Sequence, residues 1–172
     1  MFDSCVLFEE DNDFLKKLKV IKGNAKIKNK LIFNSNDLVF FEPKTEEELK
    51  QAIKQTLPFG IINAELIHRK DSIHFIKSGI DDSTAKEMGK KKIALVFNLN
   101  LLILKKDYEL SLILRRMKEN MKKAVKHDIP VLFASCAKNK YELFNGMQIK
   151  AWANYLGIDD FNRVKLSFNK IF

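Results

Sequence analysis

One alternation runs through most of this chain and constrains its fold more than any motif: short apolar runs are followed by stretches of helical period, repeatedly and at close spacing. Ser4 to Phe8 and Leu38 to Phe41 read as strands. Thr45 to Leu57 reads as a helix, with Thr45 and Glu48 spaced as a capping box and Pro58 and Gly60 as stops. Gly60 to Ile67 is an apolar, strand-like run, with a second short strand predicted at Ser72 to Ile76. A short helix from Asp81 to Met88, closed by Gly89, leads into a buried strand at Ile93 to Phe97. A long basic helix starts at Asp107 and ends before Ile129-Pro130. The strand Val131 to Ser135 and a helix from Gly146 to Leu156, stopped by Gly157, complete the series.

Strands alternating with helices at this pitch predict an α/β fold, a parallel sheet with right-handed crossovers. That pattern is compatible with an open sheet and with closure into a small barrel. An eightfold barrel takes about 250 residues, and this chain has 172. Any barrel here is therefore trimmed, with helices short or missing in its first half. No linker, low-complexity segment or second domain interrupts residues 1–172, which read as a single domain.

The segment from Arg115 to His127 concentrates six Lys or Arg against one acid, Glu119. On a helical wheel Arg115, Lys118, Lys122 and Lys126 form one stripe, flanked by Arg116 and Lys123. Leu110, Ile113, Leu114, Met117, Met121, Ala124 and Val125 lie opposite, which predicts a helix resting on a core with its charge turned outward. A net charge of +9 extends that bias to the whole chain and favours an anionic partner, nucleic acid before membrane. A lysine-rich solvated face is the plain alternative for such a helix. Lys138 and Lys140 after the following strand, Lys90, Lys91 and Lys92 before the preceding one, and Arg69 and Lys70 beside His68 add further positive charge. The layer pattern allows several of these to share a rim. Aromatic residues are absent from the basic stretch itself, which points to phosphate contact rather than base readout.

No apolar run is long enough to span a bilayer, and Met-Phe-Asp-Ser-Cys lacks the layout of a signal peptide, so the expected location is cytoplasmic, with no membrane partner. Cys5 and Cys136, each beside a strand-like run and without a CxxC neighbour, read as buried thiols. Catalytic chemistry finds little support. His68, His74 and His127 are not at metal-ligand spacing, and the two histidines one residue apart that a metal-dependent hydrolase often uses are missing, so no metal ligand is assigned. Phosphate-cradling glycine loops are missing too. Ser78-Gly79, before the Asp81 helix, is either an anion-facing turn or simply a strand-to-helix connection. Ser135 and Cys136 end a strand, but His127 precedes that strand and is poorly placed as a base. No catalytic residue is assigned.

Two blocks resemble the archaeal RNase P protein component 3 family, which is homologous to a eukaryotic nuclear RNase P subunit. The first is His-Phe-Ile-Lys-Ser-Gly-Ile-Asp from His74 to Asp81, followed by Ala85-Lys86. The second runs in the same order and at similar spacing through Arg-Met-Lys-Glu-Asn-Met from Arg116, Ile129-Pro130-Val131, Ser135, Ala137, Tyr141-Glu142-Leu143 and Leu156-Gly157. Together they cover residues 74 to 157. The chain departs from the family's pattern at Ile76-Lys77, where an arginine often follows the phenylalanine, and at Phe144, where an arginine is usual before a turn, here Asn145-Gly146. The resemblance implies a trimmed TIM-like barrel, similar to metallophosphoesterases of the PHP type but without their metal ligands. It implies a subunit of ribonuclease P in which the RNA subunit, with its magnesium, removes the 5′ leader of precursor tRNA, while this chain binds no cofactor. The implied partners are the RNase P RNA, precursor tRNA in the holoenzyme, and protein component 2, in a heterotetramer. Lys77, Arg115, Arg116, Lys118, Lys122, Lys123, Lys138 and Lys140 are the expected RNA-facing residues. Two other classes stay open at this point: a PHP-like metal-dependent phosphoesterase with unrecognised ligands, and a scaffold protein without RNA contact.

Overall fold

The computed structural model describes residues 2–3, 21–22, 26–28, 39–55 and 58–158. The predicted strand at Ser4 to Phe8 lies outside these residues, as do Cys5 and the end of the first predicted helix at 56–57. A five-stranded sheet dominates. Its strands β3 (Lys26–Lys28), β4 (Val39–Phe41), β5 (Gly60–Ile62), β6 (Ala94–Asn98) and β7 (Val131–Ala134) pair in chain order, every pair parallel. A separate parallel pair joins β1 (Phe2–Asp3) to β2 (Ile21–Lys22), and β1 runs close to β7. Sequential parallel order requires a crossover between neighbours, and helices supply most of them. These are α1 (Glu46–Gln55), α2 (Asp82–Lys91), the four-residue α3 (Leu101–Leu104), α4 (Asp107–Lys126) and, after β7, α5 (Gly146–Tyr155).

Strands buried on both faces read as continuous apolar runs, and β4 to β7 are buried at every residue. Alternate residues serve two cores. Phe41, Ile61, Leu95, Phe97, Val131 and Phe133 face the helices and pack with Leu49, Ile53, Met88, Met117 and Met121. Phe40, Ile62, Ala94, Val96, Leu132 and Ala134 pack on the other face. Space is tight on that second face. A Cβ at Gly60 would lie 2.8 Å from Val96 Cγ2, so the first residue of β5 has to be glycine for β6 to approach.

Three local expectations are corrected. Gly60–Ile62 is a strand, but Asn63 turns left-handed (φ 60°) and Ala64–Leu66 forms a 3₁₀ turn, so the predicted run to Ile67 is shorter. Ser72 to Ile76 is no strand: the hydroxyl of Ser72 accepts from Phe75 N–H and its N–H donates to Phe75 O, closing a tight turn instead. Gly89 does not end α2. The helix continues to Lys91, and Lys92 takes the left-handed cap while Ile93 N–H reaches back to Met88 O. Gly89 is needed for another reason, because a Cβ there would come 2.0 Å from the carbonyl oxygen of His127 at the end of α4.

Candidate nucleic-acid interface

Helix α4 carries its basic residues on two different arcs. Ile113, Met117, Met121 and Ala124 enter the core as expected, although Val125 is exposed. Beside this apolar arc, Arg116, Asn120 and Lys123 recur at intervals of four and three, and together they brace the connection that leads from β5 to α2. Arg116 is 1% exposed, with its guanidinium held by Asp71 (Nε to Oδ1, 2.9 Å) while Nη1 donates to the carbonyls of Glu65 (2.9 Å) and His68 (2.6 Å). Asn120 Nδ2 donates to Ser78 O at 2.9 Å. Lys123 Nζ donates to Ser78 Oγ at 2.8 Å and to Ile80 O, and burial pushes its ammonium below the ordinary lysine range. The expectation that Arg116 faces outward is therefore corrected. It stands about 60° from Ile113 on the wheel, close enough for the core margin to take it in.

The outer arc is largely matched with acids. Arg115 pairs with Asp71 at 2.6 Å, Lys122 with Glu119 at 2.6 Å and Lys126 with Asp82 at 2.9 Å. Lys118 lies over the ring of Tyr155, 3.9 Å from its centroid. Burial pushes the Asp71 carboxyl up, but hydrogen bonds from Arg115, Arg116 and the Lys77 N–H outweigh it and hold the group below the usual carboxylate range. Asp82, bonded by His127 and Lys126, is held at about 2. Lys77 is exposed on the braced connection, and Lys138 is exposed beyond β7; the side chain of Lys140 lies outside the described residues. Lys90, Lys91 and Lys92 enter β6 at its amino end, so they share no rim with Lys138, which follows the carboxyl end of β7. What the structure brings together is Arg69, Lys70, Lys77 and Arg115, around Asp71.

Ser78 and Gly79 are buried, which removes the anion-facing reading of that pair. Gly79 has φ 86° and a Cβ there would sit 1.9 Å from Ala64 O, so the turn is built to let two backbones touch. Ser135 Oγ accepts from Ala137 N–H, and His127 is bonded to Asp82 at the far end of β7 from Ser135, so these two do not form a nucleophile and base pair.

Sequence reasoning missed a polar network at the carboxyl ends of the strands, the edge where barrel enzymes keep their chemistry. Asn63 Nδ2 donates to Glu42 Oε1 (2.6 Å), Asn98 Nδ2 to Asn63 Oδ1 (3.0 Å), and Asn100 Nδ2 to Glu142 Oε2 (3.3 Å), while Asn98 Oδ1 accepts the Asn100 N–H. The signal was an Asn at or near the end of consecutive apolar runs. Glu65 was missed too. Its carboxylate is wholly buried, neither oxygen accepts a well-formed hydrogen bond, and burial raises it to about 7 against the weaker opposing pull of its own backbone and Arg116. Among the described residues, no group of three or more His, Cys, Asp and Glu is placed to hold a metal ion, and no helix is long and apolar enough to cross a membrane.

No family model matches the chain. A curated protein does: Ribonuclease P protein component 3 of Methanocaldococcus jannaschii is 32% identical over 109 residues, 63% of this chain. The chain is similar in sequence to that component over this stretch. The matched stretch spans 44% of the relative's length. A chain in a cryo-EM structure of archaeal ribonuclease P with mature tRNA has the same fold, with a TM-score of 0.63 and 21% identity over 99% of this chain and 89% of that one. Component 3 thus supplies the sequence likeness and the ribonuclease P chain the likeness of fold.

Proposed function

We propose that this chain is a protein subunit of ribonuclease P, assisting a catalytic RNA in removing the 5′ leader of precursor tRNA. The observation that carries the reading is the 32% identity to component 3 over 109 residues. It is supported by the shared fold with a chain of the ribonuclease P assembly and by the net charge of +9. In this reading β1 and β2 extend the sheet past β7 and the whole closes into a trimmed TIM-like barrel, as the nearness of β1 to β7 suggests. The protein works beside component 2, in a heterotetramer, and the magnesium that the reaction needs sits on the RNA.

The task of the chain is then physical. Lys77, Arg115, Lys118, Lys122 and Lys138, with Arg69 and Lys70, neutralise phosphates of the RNA's catalytic domain, so that the domain folds at lower magnesium and holds the scissile phosphate in place. Arg116 and Lys123 leave the list of direct contacts. They hold the connection that presents Lys77. The test is reconstitution: with component 2 present, adding this chain to RNase P RNA at limiting magnesium should raise precursor tRNA cleavage, and no stimulation would overturn the reading.

A further inference from the structure

The turn closed by Ser72 and Phe75 carries three side chains with no role inside the fold. Ile73 is 96% exposed and Phe75 74% exposed, and His74 between them is exposed as well. Exposed apolar side chains are ordinary on protein surfaces, but the backbone of this tip is fixed by hydrogen bonds at both ends. Ser72 N–H donates to Phe75 O (3.1 Å), Phe75 N–H donates to Ser72 Oγ (3.0 Å), and Lys77 N–H donates to Asp71 Oδ1 (3.0 Å). Asp71 is itself gripped by two arginines of α4, Arg115 and Arg116. A ring displayed in water on a preorganised support loses little further freedom when it meets a flat partner.

The charge around the tip says which partner. Arg69, Lys70 and Lys77 are exposed and have no acidic partner among the described residues, and the one carboxylate of the turn, Asp71, is turned inward to the arginines. An aromatic ring among unopposed cations matches a strand that offers a base face and phosphates within a few ångströms of each other. We infer that the tip at Ile73 to Phe75 is a base-stacking contact, with Phe75 placed against an unpaired base of the RNA while Arg69, Lys70 and Lys77 take the flanking phosphates. The inference rests on the RNA-binding reading above, and adds a base contact to what composition alone assigned to phosphates.

Stacking requires a ring, whereas a greasy protein contact requires only apolar bulk, and this separates the partners. Full-length chain assembled with component 2 is titrated with an RNase P RNA transcript, as wild type, Phe75→Leu and Phe75→Trp, at several salt concentrations. Phe75→Leu should weaken affinity about tenfold to a hundredfold, the scale of losing one base stack. Phe75→Trp should bind within about twofold of wild type. The slope of log affinity against log salt should be the same in all three, because no charge is changed. Equal binding by wild type and Phe75→Leu would overturn the base contact and leave the RNA reading standing. Loss of component 2 from a further variant, Phe75→Ser, while Phe75→Leu keeps both component 2 and RNA affinity, would overturn it in favour of a protein surface. Absence of RNA binding by the wild-type assembly would overturn both the contact and the reading beneath it.

Discussion

The two arcs of α4 hold the same kinds of side chain and do opposite things. On the inner arc, Arg116 is buried and Lys123 half-buried, and both are tied to backbone carbonyls of the β5–α2 connection. On the outer arc, Lys122 and Lys126 remain largely in water and touch only neighbouring carboxylates. The lesson concerns position relative to the apolar stripe. A cation at the stripe's margin is drawn in and becomes a strut, while one opposite the stripe stays available to an outside partner.

The largest break in this contrast comes from Arg116→Ala. It strands Asp71 near-buried with one arginine and leaves two carbonyls unmatched, a loss of about 3–5 kcal/mol, read as a lower denaturant midpoint. If the variant unfolds like wild type, the inner arc is not a brace. Second is Glu65→Gln, which acts through pH. Glu65 lies beside Arg116 and Glu42, and burial raises its carboxyl to about 7 from an unfolded value of 4.5. Below pH 4.5 it is protonated whether folded or not and costs nothing; as pH rises the unfolded chain ionises first, so stability is lost progressively up to and through pH 7. Removing the ionisable group should therefore stabilise the protein at pH 8, by on the order of 3 kcal/mol, and leave it unchanged at pH 4. Chemical denaturation at both pH values tests this, and parallel profiles would refute it.

Asn120→Ala comes third. Ser78 O then loses its buried donor, at a cost of about 1–3 kcal/mol, and amide exchange at residues 78–80 should quicken more than in the strands. The smallest effect on folding belongs to the outer arc. Lys118, Lys122 and Lys126 changed together to Ala should each cost within about 0.5 kcal/mol. RNA affinity should respond more: its salt slope should fall by a little under about one for each phosphate contact removed. An unchanged slope in the folded triple variant would mark the outer arc as solvated surface, already neutralised by Glu119 and Asp82.

Much of this organisation was legible. The start of α4 at Asp107, its stop before Ile129-Pro130, and the start of α5 at Gly146 follow from periodicity and local turn chemistry, and the structure has them. Failures came where a long-range contact decides the local outcome. Ser72 to Ile76 has the composition of a strand, but Asp71 and Ser72 bend it by accepting backbone N–H groups, and Asp71 is held there by arginines more than forty residues away. Gly89 looked like a helix stop because its true cause, the carbonyl of His127, comes from the next crossover. Arg116 looked like surface because a wheel assigns direction by charge near a boundary that only packing resolves. The Asn63–Asn98–Asn100 chain could be seen only once parallel register had lined up the ends of β5 and β6.

The brace on the β5–α2 connection also imposes an order of events on a chain that is still being made. Glu65 and Ser78 are joined to Arg116 and Asn120 across 51 and 42 residues. At roughly 5–20 residues per second of synthesis, that separation leaves the connection without its struts for about 2–10 seconds. Strands β3 to β5 have everything they need to pair during this interval, since each meets its neighbour in chain order. The turn bearing Phe75 does not, and stands open until α4 has been completed. Folding on the ribosome should thus set the sheet first and the tip at Ile73 to Phe75 last, making this turn readily accessible to proteases in nascent chains halted before residue 116 and protected in those released beyond it.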